Sequence, residues 1–331
     1  MRTPLCDLLG IGVPVVQAPM GGAAGPELAA AVSNAGALGT LALSWSSPAE
    51  VTEAIEQTRA LTQKPFAANF LFNSPQDERV DAALAAGAPV VSLAWGDPAA
   101  LIPRIREAGA RVLATVGTAA EARHAAGAGA DVVVAQGWEA GGHVWGTVAT
   151  LALVPAVVDA VGPVPVVAAG GISDGRGLAA VLALGAAGAW VGTRFLAAEE
   201  SAAHADYRER LFSATEADTF YGLLFDVGWA DAPHRVLRNS TVDEWERAGQ
   251  SAPGERPGEG EPVATRANGA AIPRYASSTP SAGQEGDIEA MSMWAGQGVG
   301  LVTHTQPAAD IVAELVADAE RVLRELGAGA R

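Results

Sequence analysis

Short apolar, β-branched runs alternate with Ala-rich stretches of helical period along the first two-thirds of the chain, and they do so eight times. The runs are Val15–Ala18, Leu38–Leu43, Phe66–Phe72, Val90–Ala94, Val112–Val116, Asp131–Gln136, Val164–Ala169 and Ala189–Thr193. Stretches such as Val132-Val133-Val134 and Val164-Pro165-Val166-Val167 contain no polar residue. Strands buried on both faces read this way, and they belong to parallel sheets. Helices are predicted between them over Pro26–Asn34, Pro48–Leu61, Gln76–Ala86, Pro98–Ala108, Ala119–Ala128, Leu151–Val161 and Gly175–Leu184. Pro26, Pro48 and Pro98 stand at helix starts, where a missing N–H costs nothing. Asp97 and Thr118 are the expected N-caps. Gly36, Gly87, Gly109 and Gly185 are the expected C-terminal caps. Eight such units close most simply into a (β/α)8 TIM barrel, with a doubly wound open sheet as the alternative.

The eighth helix is delayed. After Arg194-Phe195 a long segment runs to about Trp294, with helix-like pieces at Ala203–Phe212 and Thr241–Ala248. Gly249–Ala271 is rich in Gly, Pro, Ser and charge. A connection this long reads as a lid, a subdomain or a partly mobile loop. Ala308–Leu326 is amphipathic and reads as the closing barrel helix. The expected organisation is a barrel of residues 1–204 and 295–331, with an inserted subdomain of residues 205–294 over the catalytic end.

Composition narrows the partners. Apolar residues form 49% of the 331, ample for a large core, while aromatics form 5% and glycines number 39. The 21 basic and 37 acidic residues give a charge of −16. That surface repels nucleic-acid phosphates and anionic lipid, so neither is an expected partner. Cys6 is the sole cysteine, expected as a small apolar filler, and it fits a reducing, cytoplasmic setting. Asp7 interrupts the apolar stretch after Arg2, so no secretory signal is expected. No apolar run approaches the roughly 20 residues of a membrane helix.

Six segments carry the candidate chemistry. Ala169-Gly170-Gly171-Ile172-Ser173-Asp174-Gly175 follows an apolar strand and opens a helix. Glycines let backbone N–H groups approach a phosphate, and a helix N-terminus favours negative charge. Val191-Gly192-Thr193-Arg194 ends the next strand. TIM barrels frequently build one phosphate site from the loops after strands seven and eight. Gln136-Gly137-Trp138-Glu139-Ala140-Gly141-Gly142-His143 follows strand six, and a loop histidine there can reach a ligand or bond to backbone. Glu139 is a candidate loop-fixing carboxylate. Gln17-Ala18-Pro19-Met20-Gly21 permits close approach of a flat ligand after strand one. Asn69, an amide in an apolar strand, needs a partner, either a cofactor or backbone. Trp294-Ala295-Gly296-Gln297-Gly298 either turns as a linker or returns to the site. His124, His204, His234 and His304 show no metal-ligand spacing, and no metal is predicted.

Taken in order, these segments resemble the nitronate monooxygenases, formerly called 2-nitropropane dioxygenases. The resemblance runs from residue 15 to residue 300, and Glu139-Ala140-Gly141-Gly142-His143 is its most specific piece. It implies a TIM barrel with an inserted domain, non-covalent FMN, and oxidation of alkyl nitronates by O2 to a carbonyl compound and nitrite. Carried over by position, Gly170, Gly171, Gly192 and Thr193 would hold the FMN phosphate. Met20, Gly21, Asn69, Gln136 and Gly142 would line the flavin, and Gln297 and Gly298 would contact the cofactor. His143 would be the catalytic histidine, either hydrogen-bonding or protonated toward the anion, or a base toward a neutral nitroalkane. The chain also resembles FMN-dependent enoyl-acyl-carrier-protein reductases, and some relatives look like NAD(P)H:quinone reductases. Trp138 and Trp145 are bulky and would narrow the pocket toward a small substrate.

Overall fold

The computed structural model describes residues 1–329. Eight strands form one parallel sheet: β1 (Val15–Gln17), β2 (Gly39–Ala42), β3 (Phe66–Leu71), β4 (Val90–Ala94), β5 (Arg111–Val116), β6 (Val132–Gln136), β7 (Val166–Ala169) and β8 (Gly188–Val191). Each pairs with its neighbours in sequence, and β8 pairs with β1. The ring closes between β1 and β2, where Gln17 N–H donates to Leu38 O at 2.9 Å and Leu38 N–H donates to Val15 O at 3.0 Å. The closed barrel replaces the open-sheet alternative.

The two-residue period of a strand sorts each run between two cores. Val133 and Ala135 of β6, Val112 and Ala114 of β5, and Val166 and Ala168 of β7 face the helices. Val132 and Val134, Leu113, and Val167 and Ala169 fill the barrel interior. The same parity carries the inward series of β3 from Ala67 to Asn69, and that of β6 from Val134 to Gln136. The amides therefore point inward at the C-terminal end, where the interior stops being filled by apolar side chains.

The opposite end is closed by a helix the sequence reading missed. Pro4–Leu9 places Leu5, Cys6 and Leu9 against Val16, Leu38 and Val132. Cys6 is fully buried, as expected of a filler. Thr118 caps its helix, accepting from Glu121 N–H at 3.2 Å. The helix expected from Pro98 begins instead at Ile102. Pro103 has no N–H to bond back to Ala99, so a helix cannot run through from Pro98. Asp97 accepts from Ala99 N–H at 2.9 Å and from His124 at 2.9 Å.

The last helix, Ala308–Gly329, packs between helices Gly175–Ala183 and Pro26–Asn34 and completes the outer ring. Between β8 and that helix lies helix Ala205–Ser213, then strands Thr219–Gly222 and His234–Leu237, helix Ser240–Arg247, and a hairpin of Pro262–Thr265 with Ala271–Pro273. The Gly- and Pro-rich stretch is more ordered than its composition suggests. Its buried Arg256 pairs with Asp226 at 2.8 Å and with Glu259 at 2.5 Å, and lies 4.3 Å over the Tyr275 ring. No helix among the described residues is long and apolar enough to cross a membrane.

Candidate active site

A cavity of about 860 Å³ opens at the C-terminal ends of the strands, beneath the insertion. That is a size suited to a cofactor-scale ligand. Met20, Gly21, Asn69, Gln136, Gly142, His143, Gly170, Gly171, Gly192, Thr193 and Gly298 all line it. Gln297 does not: it binds the His143 loop through its backbone, donating N–H to Glu139 O at 3.0 Å.

The glycine turns meet the returning segment at close range. Thr193 Oγ1 accepts from Gly296 N–H at 3.0 Å. Gly171 has φ +72°, a left-handed conformation that side chains resist. A Cβ on Gly298 would stand 2.6 Å from Ser173 Oγ and 2.8 Å from Gly171 O. A Gly298→Ala protein is therefore expected to distort this turn and to lose cofactor affinity by about tenfold or more, the scale of a displaced polar contact. Cofactor titration by absorbance checks this, and unchanged affinity would separate the turn from the cofactor.

One expected contribution is absent. The N-terminus of helix Gly175–Ala183 is taken by its own cap, since Asp174 accepts from Arg176 N–H at 3.0 Å and Gly177 N–H at 3.1 Å. Those two N–H groups are therefore used within the chain. The N–H groups of Gly171, Ile172 and Ser173, just before it, have no hydrogen-bond partner among the described residues, and all three residues lie on the cavity wall. The turn thus offers three N–H groups at the wall just before the capped helix.

The His143 loop is fixed from three sides. Gln136 donates its amide to His143 O at 3.1 Å and accepts from Trp145 N–H at 2.9 Å. One donor and one acceptor site of Gln136 are thus used by the loop. Glu139 accepts from Thr150 N–H at 2.9 Å and Thr150 Oγ1 at 2.9 Å, which makes it the loop-fixing carboxylate. Gly142–His143 forms a two-residue strand antiparallel to the insertion, with His143 opposite His234. Trp138 packs against Tyr221 and under buried Arg235, whose guanidinium lies 4.3 Å over the indole. It is not on the cavity wall, whereas Trp145 is. Asn69 donates to Ser92 Oγ at 3.1 Å and to Ser92 O at 3.3 Å, so part of its need is met by β4.

The imidazole of His143 stacks on Trp229 at 3.9 Å and meets Trp294 at 5.1 Å and Trp95 at 5.6 Å. Its Nε2 lies 3.5 Å from Ser277 Oγ. Burial among these rings, and secondarily His234, push the His143 pKa down to about 3. A pKa this far below 6.5 favours the neutral imidazole at physiological pH. His234 is also held neutral: burial lowers its pKa, its Nδ1 meets Ala232 O at 2.9 Å, and its Nε2 accepts from Phe225 N–H at 3.1 Å. In the unfolded chain His143 would take up its proton near 6.5. Between there and about 3 the unfolded state binds more protons, so this contribution to stability is full above 6.5 and is lost as pH falls toward 3. The melting temperature is expected to drop from pH 7 to pH 5, and to drop less in His143→Gln. Equal slopes in the two proteins would contradict the assignment.

Sequence reasoning did not single out Trp45, Trp95, Arg266 or Ser277, which stand on the wall, whereas Ser173 and Trp294 belong to segments it named. Ser173 was legible from its place in the glycine turn, but Arg266 and Ser277 from the insertion gave no signal of their own.

Comparison with known proteins decides the family. The nitronate monooxygenase family model matches residues 2–78 and 73–318. This chain belongs to the nitronate monooxygenase family. It is thus an oxidoreductase of a flavoprotein family. FabK of Thermotoga maritima has a similar structure, with TM-score 0.85, 34% identity and 99% of each chain covered. So does a nitroalkane oxidase of Streptomyces ansochromogenes, with TM-score 0.79 and 33% identity over 97% of this chain and 99% of that one. A 5-hydroxy-7a-methyl-1-oxo-octahydro-1H-indene-4-carboxyl-CoA dehydrogenase of Rhodococcus jostii is 42% identical over 75% of this chain and 69% of its own. Nitronate monooxygenase relatives thus include proteins named for more than one substrate.

Proposed function

We propose that the chain binds FMN non-covalently and oxidises alkyl nitronates with O2 to a carbonyl compound and nitrite. The observation that carries this reading is the placing of the two glycine turns and neutral His143 on one cavity wall. The turn amides of Gly171, Ile172 and Ser173, with Gly192, Thr193 and Gly298, fit a phosphate that side chains at those glycines would displace. Met20, Gly21, Asn69, Gln136 and Gly142, on the same wall, fit a flat ring system, and Gln136 also holds the His143 loop. Bound FMN would supply the electron acceptor and pass electrons to O2.

His143 then works as a neutral imidazole. It can hydrogen-bond a nitro oxygen and fix the substrate's orientation without cancelling its negative charge. An electron-rich anion left uncompensated gives up electrons more readily than one held by a cation. Residues 205–294 form the lid in this reading, because the strand containing His234 sets the position of His143.

A second reading is NAD(P)H-dependent reduction of an enoyl thioester or quinone. Arg266 favours it: this exposed guanidinium is the one Arg or Lys on the cavity wall among the described residues, and it has no carboxylate partner within 4.0 Å. It could receive the phosphate of a carrier or a nicotinamide nucleotide, and the Rhodococcus relative is named for a CoA substrate. Aerobic assays separate the two. O2 consumption with a nitronate and no NADH oxidation supports the first, while rapid NAD(P)H bleaching of the flavin followed by acceptor reduction would replace it with the second.

A further inference from the structure

Five of the chain's eight tryptophans gather around His143, four of them on the cavity wall and Trp229 buried behind the imidazole. They come from four separate places: Trp45 after β2, Trp95 after β4, Trp145 in the loop after β6, and Trp229 and Trp294 from the insertion. Trp45 meets Trp229 at 5.7 Å, Trp229 meets Trp95 at 5.0 Å, and Trp95 meets Trp145 at 5.1 Å. In a chain with 5% aromatic residues, this is a concentration that core packing does not require. Trp45 is 56% exposed and Trp145 38% exposed, so both hold apolar faces toward water at the cavity rim. Trp95 is held at φ +66°, a conformation costly for a bulky residue. The indole NH of Trp145 is tied to Glu121 at 2.9 Å and that of Trp294 to Thr279 Oγ1 at 3.0 Å, which fixes these rings in place.

We propose that Trp45, Trp95 and Trp145 form a ring-binding subsite that selects substrates presenting an aryl or cyclic apolar group beside His143. A short linear nitronate has too little apolar surface to cover these indoles, whereas a ring meets them face to edge. The carboxylate of Glu50, also on this wall, is engaged by Ser47 N–H at 2.7 Å. The identity of the reacting group rests on the nitronate reading above, but the subsite itself does not.

The test compares phenylnitromethane nitronate with ethyl nitronate on the FMN-loaded enzyme. The expected kcat/KM ratio favours the aryl substrate by about tenfold or more, the size of one or two aromatic contacts. Trp45→Ala and Trp145→Ala should each reduce that ratio several-fold, and Trp45 is exposed enough that its loss does not threaten folding. Equal turnover of both substrates, with a ratio that neither substitution moves, would overturn the subsite while leaving the nitronate reading standing. If neither nitronate is oxidised, that reading fails, and calorimetric titration decides the subsite. Nitrobenzene binding tighter than 2-nitropropane, and weakened by Trp45→Ala, supports it; equal binding of the two overturns it.

Discussion

Replacing His143 by Asn is expected to leave the barrel folded and the cofactor bound, and to lower turnover by about 10²–10³-fold, the range for a lost preorganised hydrogen-bond donor. The glycine turns that would hold the phosphate are contributed by other loops, so cofactor content should not change. Asn preserves a polar group but falls short of the position the imidazole reaches between Trp229 and Ser277. The effect belongs in kcat/KM measured with saturating FMN. A His143→Asn protein with undiminished kcat/KM would remove His143 from the reaction. Because the pKa of His143 lies near 3, its titration should contribute no acid limb to the rate between pH 5 and 8. A limb centred near 6.5 that vanishes in the variant would contradict its neutral state.

Gly171→Leu should have the second large effect, on binding rather than on rate. The position has φ +72°, and its Cβ would lie 3.3 Å from Glu139 Cβ. Strain alone costs roughly 1–2 kcal/mol, which a core of this size tolerates. The longer side chain also has to occupy the turn, beside the N–H groups of Ile172 and Ser173. The protein is expected to fold with a normal far-UV spectrum and to purify without flavin absorbance. Gly171→Ala bears the strain without the bulk and should retain part of the cofactor. A Leu variant carrying a full complement of flavin would place the phosphate elsewhere. Gln136→Leu should behave differently from both. It removes the bonds to His143 O and Trp145 N–H, so turnover falls while flavin content stays near normal.

Much of the barrel was written in local order. Runs such as Val132–Gln136 are buried on both faces, and only a parallel sheet covered by helices accommodates eight of them. Which side of β3 and β6 carries Asn69 and Gln136 was left to the structure, because both faces of these strands are apolar and parity alone does not say which is inward. The glycine turns at Gly170-Gly171 and Gly192-Thr193 were readable because close backbone approach has so few alternatives in the residue alphabet.

What Gln136 and Asp174 do was not readable. Whether an amide meets a ligand or a loop depends on which acceptors lie within 3 Å or so, and sequence spacing does not say. Gln136 holds the His143 loop while also lining the cavity, and Asp174 caps the helix that follows the glycine turn. The tertiary structure alone decided the surroundings of His143. Trp95, Trp229 and Trp294 stand 48, 86 and 151 positions from it in the chain, by subtraction of their numbers, and each approaches only through the closure of the barrel and the pairing of the insertion's strand with Gly142–His143. The sequence determined that His143 follows strand six and that glycine turns follow strands seven and eight, at one end of a barrel. Long-range packing determined that it is neutral and walled by indoles, because desolvation and stacking are properties of what surrounds a group and not of the residue itself.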